Sequence, residues 1–382
     1  MKEEASAEQK TRKFVIKYSY GNLTFDREQS NADDDLRNEY HYLKRLRGAE
    51  HIGQLIDFAD CSLNIHGISN GEDTYEKDKG EAAANGSKPT SEEDIRRRCP
   101  TFALEYLSYN TCFLSSGTTL DFIRRLYIAR ARRIPNRLLW RIWLCMVRQC
   151  VAMAYPPDIP NDQYVGQLAR EVIQDKPIAS ITQNSSHYQN FMFSEAPDPP
   201  GNEHEPGLLI LKLIDFGRGK LDDGNEARRY LPTNIQEYAS KKNLEKAAST
   251  FVGLACYHAV HVDKKEAYHR LKKPIECLCT DKEGNDQITN TRAPPAIIQN
   301  SDIDPQLRSI ILRIFAHPWV DKPSLKDVLE ETEIAVTKGP DHPGYLEQKE
   351  AAAKFGKFGH REVLETDEAI KEFVQKHIYD AY

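Results

Sequence analysis

Apolar positions come in short runs at the start of the chain and in helical stripes toward its end. Residues 14 to 20 (FVIKYSY) open with an apolar run that predicts a strand, and Leu36 to Leu46 (LRNEYHYLKRL) spaces its apolar and aromatic side chains as one face of a helix. His51 to Phe58 (HIGQLIDF) and residues 101 to 107 (TFALEYL) predict two further strands. Between them, Cys61 to Cys99 is dominated by Gly, Ser, Asp and Glu, too little apolar side chain to offset the entropy of ordering, so it reads as an insertion loop. Leu120 to Tyr127 and Arg137 to Met153 predict helices. The second carries Leu139, Ile142, Met146, Cys150 and Met153 in one long stripe for burial and is stopped by Tyr155-Pro156-Pro157. Asn190 to Phe193 and Leu208 to Ile214 predict a hairpin across a Pro-, Gly- and Glu-rich connection. The remainder reads as mostly helical, over Lys246 to Ala259, Pro305 to Phe315, Lys326 to Val336 and Asp367 to Ile378, the last in a charged tail read as a surface extension.

Composition narrows the class without naming a chemistry. A chain of 382 residues with 40% hydrophobic and 29% charged side chains is one large domain or two ordinary ones, which excludes collagenous and wholly disordered chains. A net charge of -6 gives no support to a general nucleic-acid binder, and the arginines at 124, 125, 130, 132 and 133 read as a solvated helix end and loop. No apolar run approaches the roughly 18 residues that a membrane helix needs. Eight scattered cysteines with no signal-like segment before them point to reduced thiols and a cytoplasmic or nuclear setting. Cys277-Leu-Cys279 is too closely spaced for the usual zinc ligand ladder and reads as structural.

The sharpest local signal is Asp215-Phe216-Gly217, directly after the apolar strand LLILKLI. A carboxylate at a strand end, an aromatic anchor and a glycine that frees the backbone can hold Mg²⁺ beside phosphates, although the same three residues also form ordinary turns. Val15-Ile16-Lys17 on a strand is followed 22 residues later by Glu39 in a helix. Such a pair can clamp nucleotide phosphates through a lysine steadied by a glutamate; the alternative is a solvated Lys and a surface Glu that never meet.

The order of these pieces resembles the eukaryotic protein-kinase fold, and specifically the divergent protein-kinase-like proteins common in filamentous fungi; the resemblance covers roughly residues 14 to 335. It implies an α+β, bilobal fold: a truncated β-rich lobe over 14–107 with an insertion at 61–99, a mainly helical lobe over 108–335, and an extension over 336–382. FVIK matches the strand that carries the phosphate-binding lysine, here Lys17, and the next helix carries its partner, here Glu39. FALEYL matches the hinge strand, with Leu104 as gatekeeper and the backbone of Glu105 and Leu107 as adenine partners. KLIDFGRG matches the metal-binding turn, which makes Asp215 one Mg²⁺ ligand, and the stretch from Gln183 to Asn190 matches the catalytic loop, which puts Asn190 at the position of a second. PQLRSIILRIFAHPWVDKPSLKDVL resembles the closing helices, with Lys322 where typical members bury an Arg.

Three departures qualify that picture. In Gln183-Asn184-Ser185-Ser186-His187-Tyr188-Gln189-Asn190, Ser185 stands where an active kinase has its aspartate base, and a neutral hydroxyl cannot offset charge as a carboxylate does. His187 is the one surrogate base the loop offers, against the plainer readings of a loop histidine or a phosphate contact. Only 13 residues precede Phe14, none of them glycine, so the Gly-rich lid is missing: either the protein continues upstream, or nucleotide binds without a lid. After Gly217 no Ala-Pro-Glu closes an activation segment, which puts a protein-substrate platform in doubt. Two function classes follow: an ATP- and Mg²⁺-dependent phosphotransferase acting weakly on a protein Ser/Thr, or a pseudokinase serving as a scaffold for a protein partner.

Overall fold

The computed structural model describes residues 14–18, 27–56, 101–107, 119–120, 134–160, 167–195, 209–222, 235–256, 267, 269–339, 341–343, 345 and 365–376. The insertion at 61–99 and the helix expected over 120–127, apart from Leu120, lie outside the described residues. Elements in chain order are β1 (Phe14–Tyr18), α1 (Arg27–Arg45), β2 (Leu55–Ile56), β3 (Thr101–Glu105), α2 (Asn136–Ala154), β4 (Ile181–Thr182), β5 (Phe191–Glu195), β6 (Leu209–Leu213), β7 (Lys220–Leu221), α3 (Ile235–Ala255), β8 (Ile275–Thr280), β9 (Asp286–Thr291), α4 (Pro295–Ile298), α5 (Pro305–Ile314), α6 (Leu325–Val336) and α7 (Asp367–Val374). The fold is therefore mixed α+β, with small sheets.

The first three strands form one antiparallel sheet in the order β1-β3-β2, with Lys17 opposite Phe102 and Leu55 opposite Leu104. Helix α1 lies against it through Tyr40, whose ring centroid is 6.0 Å from that of Phe102. Of the strand expected over 51–58, residues 57 and 58 lie outside the described residues; among the rest, Leu55 and Ile56 pair with β3, while His51 and Gly53 spend their backbone groups on β6: Leu213 N–H donates to His51 O at 2.9 Å and Gly53 N–H to Leu213 O at 2.9 Å.

Helix α2 is the centre of the molecule. Every residue from Asn136 to Ala154 except Arg141 is buried, as expected of a helix that is packed on all sides, and Trp143 meets Phe251 of α3 at 5.3 Å. The predicted hairpin forms, with β5 and β6 antiparallel in the register Phe191 to Leu213. The helix expected from Lys246 begins much earlier, at Ile235, and α5 and α6 start where sequence places them, since Asp304 caps α5 ahead of Pro305 and Ser324 caps α6 through Asp327 N–H.

Two expectations need correction. Residues 275–291 form the hairpin β8–β9 rather than part of a helical run, with Leu278 paired to Ile288 and the buried Cys279 paired to Gln287. The strands are joined by Asp281-Lys282-Glu283-Gly284-Asn285, where Asp281 N–H donates to Asn285 O and Gly284 supplies the φ of 86° that the turn requires. In the charged tail, expected as a surface helix pair or semi-ordered extension, the described helix α7 buries one side against the body. Ile370 and Val374 of α7 are buried, and the Glu365 carboxylate accepts from Asn136 N–H at 2.7 Å and Arg137 N–H at 3.0 Å, capping a helix whose own N-cap residue, Pro135, offers no side-chain acceptor. Among the described residues no helix is long and apolar enough to cross a membrane.

Glu365→Ala should therefore lower the unfolding free energy by about 1–2 kcal/mol, as loss of a helix cap does. An unchanged midpoint in urea denaturation would show that the tail only rests on α2.

Candidate functional site

Lys17 and Glu39 meet. The β1–β3 register and the packing of α1 on the sheet bring Lys17 Nζ to 2.6 Å from Glu39 Oε1, with the glutamate buried and the lysine partly open to solvent. Burial pushes the Glu39 carboxyl up from its ordinary range, while the Lys17 ammonium and the Phe216 backbone N–H act to keep it ionised. Asp215 also acts on Glu39, raising its proton affinity through like charge. Residues from β1, α1 and the turn after β6 thus converge on one point.

That turn is tightly specified. Asp215 has φ of 66°, a left-handed conformation uncommon outside glycine, and its Oδ1 accepts from Gly217 N–H at 3.1 Å. Phe216 is fully buried. Asn38, the neighbour of Glu39, donates from Nδ2 to Gly217 O at 2.8 Å and to Gly219 O at 2.6 Å, so α1 holds the turn directly. A Cβ at position 219 would stand 2.7 Å from the Tyr42 ring, which is why glycine is needed there.

Asn190 lies beside the same turn, since Ile214 N–H donates to Asn190 O at 2.8 Å. Its Nδ2 donates to Ser185 O at 2.7 Å, which turns Oδ1 into the atom available to a ligand. The Asp215 carboxylate and the Asn190 amide oxygen are hard oxygen donors of the kind Mg²⁺ takes. Gln183 ties the two segments together: Nε2 donates to Asp215 O at 2.9 Å, while Oε1 accepts from Ser185 N–H and Ser186 Oγ–H, both at 2.9 Å.

Ser185 is partly buried and its Oγ accepts from Asn190 Nδ2 at 3.3 Å, so this hydroxyl is already engaged within the loop. His187 is exposed, and its backbone closes the turn by donating to Ser185 O and accepting from Asn190 N–H, both at 2.9 Å. Helix α3 underlies the loop: Asn243 Nδ2 donates to Ile181 O at 2.8 Å, Lys246 Nζ to Asn184 Oδ1 at 2.7 Å, and Thr250 Oγ1 to Ser186 O at 2.9 Å. Gly253 leaves room for the Tyr188 hydroxyl, which would lie 1.6 Å from a Cβ at that position.

At the end of β3, Leu104 and Leu107 are buried and Glu105 N–H donates to Gln54 O at 2.9 Å. The Glu105 carboxylate takes both Lys212 Nζ contacts, at 2.8 and 2.9 Å, and Gln54 N–H at 2.8 Å. Its side chain is thereby fixed to β6 and to Gln54 before β2, and its N–H to Gln54 O, so that an adenine would meet its carbonyl alone. Lys322 is buried over the Trp319 ring at 4.2 Å and donates to Glu245 of α3 and to Ile314 O.

Sequence reasoning missed Asn38, Asn243 and Lys212, because each acts through partners 62 to 181 residues away and none belongs to a local motif. It also missed a buried trio, Glu50, His51 and Glu171, whose donor atoms lie within 4.8 Å of one another. His51 Nδ1 is 2.7 Å from Glu171 Oε2. Burial opposes a charge on His51, but the Glu171 carboxylate and the Cys145 thiol outweigh it and push the imidazole up to about 10, so His51 and Glu171 form an imidazolium–carboxylate pair.

A proton held more tightly in the folded than in the unfolded state stabilises fully below the unfolded value of about 6.5, and that contribution fades as pH rises toward the folded value. The stability gap between wild type and His51→Gln should accordingly narrow between about pH 6 and about pH 10. A gap that stays constant across that window in denaturant titrations would remove the imidazolium assignment. Compared with known proteins, the sequence matches no protein-family model and no curated protein.

Proposed function

We propose that the chain is a protein-kinase-like domain that holds ATP and Mg²⁺ and transfers phosphate to a protein Ser/Thr hydroxyl slowly. The observation that carries this reading is the convergence of the Lys17–Glu39 pair with the Asp215 turn, through the Phe216 N–H and the two Asn38 contacts. In this reading the three-stranded sheet with α1 is the smaller lobe and the helices around α2 the larger. Lys17 binds nucleotide phosphates, Asp215 and Asn190 hold Mg²⁺, and the backbone of Glu105 and Leu107 takes the adenine edge beside Leu104. The left-handed Asp215 supports a functional turn, since strain of this kind persists where surrounding structure enforces it.

A bound Mg²⁺ would neutralise developing phosphate charge; the remaining work belongs to the chain's own groups. Lys17, steadied by Glu39, orients the phosphates. Ser185 can accept a hydrogen bond from an incoming hydroxyl but cannot stabilise the proton as it leaves. The exposed His187 has no side-chain orienter among the described residues comparable to the Gln183 network, so it adds little as a base.

A second reading is favoured by that same Ser185: a pseudokinase in which nucleotide stabilises one conformation for a protein partner and no transfer occurs. The two readings share a binding step and differ in turnover.

Thermal unfolding with Mg²⁺-ATP at about 100 times its Kd should add about 2.7 kcal/mol of stability. Asp215→Ala should abolish the Mg²⁺-dependent part, and a cooperative melt indifferent to nucleotide would defeat both readings. Ser185→Asp should raise protein phosphorylation by roughly 10²-fold or more if only the base is missing. Binding without any gain in that variant selects the pseudokinase.

A further inference from the structure

The connection between α2 and β4 does more than link them. Its described residues return to the C-terminal end of α1 and to the turn that follows it, meeting Arg45 in the helix and Gly48, Glu50 and His51 beyond it. Asp158 N–H donates to Arg45 O at 3.1 Å, and Arg45 Nε returns a contact to Asp158 Oδ1 at 3.1 Å. Ala169 N–H donates to Gly48 O at 2.8 Å and Glu50 N–H to Ala169 O at 3.1 Å, a parallel bridge. Glu171 then takes both His51 N–H, at 2.8 Å, and His51 Nδ1.

This strap is itself anchored in the helical body. Arg148 of α2 donates to Glu171 O and to the Glu333 side chain of α6. Lys176 Nζ donates to Pro156 O at 3.0 Å, and Ala179 N–H to Ala154 O at 2.7 Å. Asp158 adopts a φ of 48°, which the chain tolerates while reversing direction after α2.

A helix held at its C-terminal end transmits that constraint along its rigid backbone, and α1 carries Asn38 and Glu39 within about two turns of Arg45, while the turn held by Ala169 and Glu171 continues directly from it. We propose that Glu171 is a positioning residue: with Asp158 it fixes the end of α1 so that Glu39 stays against Lys17 without a ligand, a modification or a partner chain. The Lys17–Glu39 pair is then permanently assembled rather than switched. Its meaning for nucleotide binding rests on the reading above, but the geometry does not.

The test is acylation of Lys17 by an amine-reactive ester on the full chain, quantified per lysine by mass spectrometry with no nucleotide present. Glu39→Gln sets the reactivity of a lysine that has lost its partner, about two- to fivefold above wild type for a pair of this exposure. Glu171→Ala should approach that value, Glu171→Gln, which keeps one of the two hydrogen-bond acceptors, should fall between that value and wild type, and the buried Lys212 should not change. Asp158→Ala, on a half-exposed side chain, should move Lys17 the same way by less and serves if Glu171→Ala does not fold. Lys17 unchanged in a folded Glu171→Ala chain, or unchanged in Asp158→Ala, overturns the proposal; so does a parallel rise at Lys212, which would mean general loosening. Failure of the wild-type chain to bind Mg²⁺-ATP would defeat the proposed function and leave this measurement intact.

Discussion

The arrangement depends on two backbone hydrogen bonds at Leu213. By donating to His51 O and accepting from Gly53 N–H, this residue joins the end of β6 to the segment leading into β2, and so joins the small sheet to the helical body. The join demands a close approach: a Cβ on Gly53 would stand 3.0 Å from Ile214 Cγ2. Two residues beyond Leu213 the chain reaches Asp215, and the register set here determines that the following turn faces α1. Neither the Lys17–Glu39 pair nor the Asn38 contacts would find the Asp215 turn if this junction slipped by one residue, because such a slip turns every side chain to the opposite face.

Around the junction the protein buries many charges and resolves each locally. His51 is matched by Glu171, Lys212 by Glu105 and Lys322 by Glu245. Removing one member of such a pair leaves the other uncompensated in a poorly solvating interior, which is why these contacts specify geometry more than they add net stability. Glu39 belongs to this set but differs from it: its lysine is partly open to solvent and a second carboxylate, Asp215, is near enough to raise its proton affinity. Two acids and one base sharing a partly open site leave room for a cation, the electrostatic feature that separates this position from the structural pairs.

The loop from Gln183 to Asn190 shows how a site can be rigid without carrying a base. Gln183, Asn243, Lys246 and Thr250 hold its backbone from both sides, and Asn184 adopts a left-handed φ of 59° within that frame. The order is that of a scaffold built to present Asn190 and Ser185 at fixed positions. What Ser185 lacks is charge, not placement.

Much of this was written locally in the chain. Apolar runs and helical apolar patterns placed β1, β3, α2, the β5–β6 hairpin, α5 and α6 within a few residues; all but β1, whose Val15, Ile16 and Tyr18 are exposed, bury an apolar face or run. Local chemistry also singled out Lys17, Glu39, Asn190 and Asp215, whose residue types suit phosphate and Mg²⁺. The β8–β9 hairpin was obscured by its exposed Leu278 and Ile288, which break the polar-out alternation, and the packing of α7, whose helix the pattern did place, by charges that hid its two buried positions. Sequence could not show that Glu365 caps α2, that Asn38 binds the Asp215 turn or that Glu171 holds His51, since these partners are 229, up to 181 and 120 residues apart and hydrogen bonds of that range leave no periodic trace. By itself the sequence determined the elements and the candidate chemistry; only the tertiary structure decided which of those groups meet, because meeting is set by sheet register and by distant caps and clamps.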